Sequence, residues 1–594
     1  MTAFRADVAP MAALLAAFVV GILPFAAAAQ QNQPLRLTPP KQVQPVENQP
    51  ASATPEPPKT VTIGGADVKI DQLQSVDPDA AGTLAPAQGG FGLDMWQGTS
   101  RTLVEKLLPR LPVGAASPTM RNLMRRLLLS TAAAPTGKGS GTVPSLVALR
   151  VELLAKMGDQ TAVSSLLGAV PGRATNPGLL KLEADALFLA NDNARACALA
   201  AANIREQKDV FWQKAFAFCQ ALAGEKNKAQ FGVSLLNELG TNDAIYFKLM
   251  DRLLGGNAPI ESLSNPQPLH LAMARAAKVQ LPKDVVEAGN TGVLRAIAVS
   301  PNAPVEVRLE AAERAELAGA LPTDALRQLY MSVSFSEKDL ANPLSKAEAE
   351  SGPLSRALLY RTSLTQNVPS AQAEPVARAF ALARRGGRFP SAARVFQPVL
   401  QRLPPSAELA WLAPDAIRAA LMNNDQGMAK TWIGLLRASA LFNKESAAHL
   451  AQVMPMVRLA GSSEAAAWKE SDIQAWWEAT QDAERPRGQA ATLFALLAAT
   501  GDLVPPMMWE ALIDASERTT IAMPTPALWF RLESAARAGR VGETVLIALL
   551  ALGEGGTVQT DPIIAAKVLE ALGTVGLKDD VRAMALETAV AAGL

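Results

Sequence analysis

Apolar residues along most of this chain recur at helical spacing, broken at nearly even intervals by glycine or asparagine. In residues 179–190, Leu182, Ala186 and Leu189 fall on one side of a predicted helix; Asn191-Asp192-Asn193 turns, and 194–202 returns. Residues 211–223, the turn Gly224-Glu225 and residues 226–239 repeat that plan 33 residues later. Followed along the chain, the breaks fall at Gly158, Asn191, Gly224, Gly255, Gly289, Gly319, Gly352 and Gly386, in steps of 33, 33, 31, 34, 30, 33 and 34 residues. They then lengthen to 38, 37, 40, 38 and 37, through Asn424, Gly461, Gly501, Gly539 and Gly576. A period in this range, with amphipathic segments on both sides of each turn, predicts an all-α chain, an α-solenoid of stacked helical hairpins. The change of step divides it into a first array over 145–386 and a longer-period array over 387–594. Helices of this length are unstable alone in water, so each must bury its apolar face on a neighbour.

The pattern differs ahead of the repeats. Residues 1–29 read as a signal peptide: Arg5, a 15-residue apolar stretch over 11–25, Pro24, then Ala27 and Ala29 as an A-x-A site before Gln30. The expected address is the bacterial periplasm, with no membrane span after cleavage. An uncleaved segment 11–29 would instead tie the chain to the inner membrane. Residues 30–90 read as a disordered Pro/Gly-rich linker, with eight prolines between 30 and 58. Within it, Val61, Ile63, Gly64-Gly65, Val68 and Ile70 predict a small β-hairpin over 60–71. Residues 91–130 form a basic helical segment, its helix 118–129 starting at Ser117-Pro118. Residues 131–144 read as a flexible linker.

Two resemblances attach to particular residues. An alanine lies seven residues before the turn (Ala184, Ala217) and another five after it (Ala196, Ala229). In this the units resemble tetratricopeptide repeats, where small residues let paired helices approach closely. Ala429 and Ala392 keep the second feature, whereas Val163 and Thr544 depart from it, so the resemblance is close over about four units and loose over the rest. Residues 77–129, with Met95-Trp96 and Arg125-Arg126-Leu127-Leu128-Leu129, are similar to bacterial envelope proteins labelled antifreeze-glycopeptide-like; no ice binding follows from that label.

Charge and chemistry narrow the function. With 56 Lys and Arg against 55 Asp and Glu, nothing global favours nucleic acid. Arg101, Lys106, Arg110, Arg121, Arg125 and Arg126 face only Glu105 in local sequence, which reads either as a solvated helix face or as a patch for an anionic partner. Cys197 and Cys219 lie 11 residues either side of Lys208, so antiparallel helices pivoting there would bring them together. In an oxidising compartment facing thiols pair; the alternative is two buried free thiols. Residues 137–142 imitate a phosphate loop but lack its upstream glycine (Ala132) and carry Gly139 where Ser or Thr should follow Lys138. Neither G-x-S-x-G nor H-E-x-x-H occurs, no Ser lies three residues before a Lys, and His270 and His449 have no metal-ligand spacing. No catalytic, cofactor or metal site is therefore expected. Trp468, Trp476 and Trp477 form the densest aromatic cluster, readable as a binding groove for peptide or sugar rings or as core between repeats.

The expected function is a non-catalytic periplasmic scaffold or adaptor that offers a helical-repeat surface to envelope proteins. The alternative is a cell-wall enzyme or glycan-binding protein whose partner is peptidoglycan or another polysaccharide. Soluble lytic transglycosylases resemble this chain in their long Ala/Leu-rich superhelix, but they end in a lysozyme-like domain, and here the repeat pattern continues to Leu594.

Overall fold

The computed structural model describes the strands Thr60–Ile63 and Ala66–Lys69 and residues 77–139, 145–513 and 525–594. The signal peptide and the proline-rich stretch 30–58 lie outside the described residues. The two strands pair antiparallel, Thr60 opposite Lys69 and Ile63 opposite Ala66. They belong to a unit separate from residues 75–594. The rest is all-α, with 28 α-helices among the described residues.

The hairpin turns follow from two residues acting together. Gly158, Asn191, Gly224, Gly255, Gly319, Asn424, Gly461, Gly501, Gly539 and Gly576 all have positive φ, the left-handed conformation that ends a helix. At several of them an aspartate follows at once and caps the next helix. Asp159 accepts from the Ala162 amide at 2.9 Å, Asp192 from Arg195 at 3.2 Å and Asp425 from Met428 at 3.0 Å. Three expected turn residues differ. Gly352 is extended and precedes Pro353 at the start of a helix, and Gly289 precedes the N-cap Asn290. At the third, Gly387 rather than Gly386 takes the left-handed position.

Small residues set how closely paired helices approach. Ala184, Ala196, Ala217, Ala229 and Ala429 are completely buried. A Cβ added to Gly232 would lie 3.1 Å from that of Ala217, so the Val210–Leu222 and Lys226–Glu238 helices nearly touch backbone to backbone there.

Contacts do not stop at sequence neighbours. The Pro118–Leu129 helix packs on Val541–Leu552 and Lys578–Ala591, helices from the far end of the chain. Glu587 accepts from the Thr119 amide at 3.0 Å, from its hydroxyl at 2.6 Å and from Ser117, so a C-terminal carboxylate caps an N-terminal helix. Nearby, the Gly542 amide donates to Met95 O at 3.0 Å, and a side chain at Gly542 would collide with Met95. Likewise the Leu146–Lys156 and Pro177–Leu189 helices contact Thr291–Ala298, where the Thr291 hydroxyl donates to Lys156 O at 2.6 Å.

Residues 77–90 are not the linker that their composition predicts. Pro78 and Pro86 each start a short 3-10 turn, and Asp79 is buried. Its carboxylate accepts from the Val147 amide at 2.9 Å and from Arg101. The glycines permit contact rather than mobility: a Cβ at Gly82 would lie 2.4 Å from Thr131 N. Residues 131–139 are tied in too, with Thr131 N donating to Leu84 O at 3.0 Å and Ala133 N to Leu93 O at 3.0 Å.

Buried Arg150 holds this segment to the helices. It donates to Leu128 O at 2.7 Å, Ala81 O at 2.6 Å, Asp79 O at 3.1 Å and Ser130 O at 3.1 Å. Burial pushes its pKa down to about 10, with Asp79 opposing. Arg150→Met should therefore strand four carbonyls and cost about 3–5 kcal/mol of stability in denaturant unfolding. A loss below about 1 kcal/mol, the range of ordinary surface substitutions, would contradict this role.

Candidate functional site

The residues that the sequence singles out lie in different places. Cys197 and Cys219 form a disulfide that joins the Asn193–Asn203 helix to the Val210–Leu222 helix, their Cα atoms 5.5 Å apart. Closing a loop of this length is worth about 3 kcal/mol in the chain-entropy picture.

Four of the five arginines of the basic segment, Arg101, Arg121, Arg125 and Arg126, are engaged within the fold, whereas Arg110 is exposed. Arg101 pairs with Glu105 at 2.8 Å and with Asp79. Arg125 pairs with Asp159 at 2.7 Å, and Arg126 with Asp580 at 2.7 Å while its guanidinium lies 4.5 Å from the centre of the Phe91 ring. Arg121 is largely enclosed and donates to Ala115 O and Ala116 O. Burial, reinforced by Arg394, pushes its pKa down to about 10. The neutralising acids at 79, 159 and 580 lie outside the helices that carry these arginines, which is why local sequence shows an excess of positive charge.

The tryptophans divide between core and surface. Trp476 is completely buried, which corrects the partner-binding reading for that residue; Trp468 and Trp477 are half-buried against the core. Rings run from Trp477 to Trp476 (6.5 Å), on to Phe494 (6.3 Å) and then to Trp509 (5.5 Å). The Trp476 Nε1–H has no acceptor among the described residues. Trp476→Ala should cost about 3–5 kcal/mol, whereas Trp476→Phe keeps most of the packing and removes the unpaired donor, holding stability within about 1 kcal/mol. Unfolding curves for the two variants check this; equal losses would show that the indole N–H has a partner.

An ion-pair ladder, missed in the sequence, links the helices Pro177–Leu189, Val210–Leu222 and Ala244–Leu254. Lys181 pairs with Asp209 at 2.8 Å, and Lys214 with Asp243 at 2.7 Å. Both lysines lie five residues after their helix's cap (Asn176, Asp209), and both aspartates cap the next first helix of a hairpin (Asp209, Asp243). The signal was therefore present as a fixed offset. His270 Nε2 joins Asp243 at 3.0 Å, and its Nδ1 accepts from the Gln267 amide at 3.3 Å. Burial works against ionisation of Asp243, but the donors His270, Lys214 and the Tyr246 amide hold its carboxyl well below the ordinary range.

Asp185, one turn from Lys181, has the opposite balance. Burial pushes its carboxyl up to about 7; Lys181 opposes this and Asp209 adds to it. Between about pH 4, where an unfolded aspartate ionises, and 7 the folded chain holds a proton that the unfolded chain has released, so stability falls as pH rises through that window. Asp185→Asn should stabilise the chain by about 1–2 kcal/mol at alkaline pH, after allowance for partial exposure, with the gain fading towards pH 4. Urea unfolding at both pH values tests it; a pH-independent difference would contradict the assignment.

The exposed apolar surface was also missed. On the Lys226–Glu238 helix only Ala229 and Leu236 are buried. Phe231 (73% exposed), Leu235 (42%) and, just past the helix, Leu239 (60%) form a second stripe facing solvent. Their four-residue spacing was readable, but periodicity does not say which of two stripes is covered.

Among the described residues no group of three or more His, Cys, Asp or Glu is placed to hold a metal, and no helix is long and apolar enough to cross a membrane. No family model, curated protein or solved structure matches this chain.

Proposed function

We propose that this chain is a non-catalytic scaffold or adaptor of the bacterial envelope, a tetratricopeptide-like α-solenoid that offers helical surface to protein partners. The observation that carries the proposal is the solvent-facing stripe Phe231, Leu235 and Leu239. Three large apolar side chains on one helical face are a poor surface for water and a good anchor for a partner helix or strand. A secretory signal at 1–29 and a Cys197–Cys219 disulfide fit together in an oxidising compartment.

The stripe can be altered without touching the core. Phe231→Asp combined with Leu235→Asp should leave the melting temperature within about 2–4 °C of the parent, since surface changes move stability by less than 1 kcal/mol. A photo-crosslinker at Leu239 should yield a discrete protein adduct in native envelopes, and the double substitution should abolish it. An adduct that survives the substitutions, or clearing of peptidoglycan in a zymogram, would overturn this reading.

A further inference from the structure

The end of the Pro268–Ala276 helix forms one wall of an open groove of about 510 Å³, lined by Arg275, Lys278, Gln280, Pro301 and Asn302. The opposite wall is the turn before the Val305–Leu317 helix. The two walls are fixed to each other. Leu281 N donates to Asn302 O at 3.1 Å, and Asn302 Nδ2 donates to Ala274 O at 3.3 Å and Val279 O at 3.2 Å.

The cations in this groove lack anions. Among the described residues Arg275 Nε is enclosed without an acceptor, and the only hydrogen bond from the guanidinium is to Ala296 O at 3.5 Å. Burial lowers the Arg275 pKa and no charged group acts on it. Lys278 is exposed, and neither residue is in an ion pair among the described residues. Arg295 and Arg308, on the two helices next in sequence, have no ion pair among the described residues either.

Lys278 also adopts φ +53°, the left-handed conformation that, among the described non-glycine residues, is otherwise found only at Asn191, Asn265 and Asn424. An asparagine can offset the strain with a local hydrogen bond; a lysine cannot. Three carbonyls of the helix end are satisfied without the two cations. The Met273, Ala274 and Arg275 carbonyls already accept from the amides of Ala277, Val279 and Lys278.

We propose that this groove binds a phosphate monoester, with Arg275 and Lys278 as its counter-charges. Two cations match a dianion, Gln280 supplies a neutral donor, and the groove has room beyond the phosphate for the group it is attached to. Neither cation lies on the Lys226–Glu238 helix, so the site is independent of the apolar stripe there.

The test titrates the full chain with glycerol phosphate and, separately, with vesicles containing phosphatidic acid, whose headgroup is the same monoester. Saturable, salt-sensitive binding is expected in at least one arm. Binding to vesicles alone assigns a lipid source, and binding to glycerol phosphate assigns a soluble one. Arg275→Gln and Lys278→Gly should each weaken binding about tenfold, in line with loss of a charge-assisted hydrogen bond. Lys278→Gly should also melt at or above the parent temperature, because glycine relieves the backbone strain. Absence of binding in both arms, or equal binding by parent and Lys278→Gly, would overturn the proposal.

Discussion

A helix of five to seventeen residues, the range found here, does not hold itself together in water. The described helices that bury an apolar face depend on a neighbour to cover it, and the decisive contacts are those that bring sequence-distant neighbours together. Glu587 capping the Ser117–Thr119 turn is the clearest case. Its carboxyl is raised by burial, against the pull of the Ser117 and Thr119 donors and of Arg121. Around it the Pro118–Leu129 helix gains its cover, and Arg126 meets Asp580.

Buried charge does similar work in the middle of the chain. Glu313 accepts from Tyr330 at 2.6 Å, from Arg356 at 2.8 Å and from Arg388 at 2.8 Å. One turn on, Glu316 accepts from Arg394 at 2.7 Å and Thr323 at 2.8 Å. Burial, with Glu313 alongside, keeps the Tyr330 phenol protonated well beyond its usual range. Burying such groups is costly, and an apolar core of the same volume would be as stable or more so. What the network supplies is selectivity. Arg356 and Arg388 meet Glu313, and Arg394 meets Glu316, in one register of the Val305–Leu317, Pro353–Thr365 and Phe389–Leu400 helices, although Arg394 Nη2 is left without a partner among the described residues.

Much of this was legible in the sequence because it is local. The left-handed turn residues, the aspartates that follow them and the small residues at helix contacts depend on only a few neighbouring positions. Long-range pairing was not legible. Asp580 gives no sign in sequence that it neutralises Arg126, and nothing local shows that Asp79 joins Glu105 on Arg101. Composition misled at residues 77–90, where Gly82 and Pro78 serve close packing rather than freedom. Exposure was also beyond reach: Trp476 and Phe231 are both large aromatics on helices, and only their placement makes one core and the other surface.

The partnership between Ser117 and Glu587 also has a temporal side. A chain leaves the ribosome from its N-terminus, at about 5–20 residues per second. The Pro118–Leu129 helix therefore spends the synthesis of more than 400 further residues without its proper cover. Hairpins such as Val210–Leu222 with Lys226–Glu238 can close as soon as they emerge, but the Pro118–Leu129 helix must wait for the last helix, Lys578–Ala591. Contacts this distant slow folding and leave apolar surface open meanwhile. Part of that early helix's apolar face therefore stays open until the distal helices arrive, a delay set by where one glutamate sits.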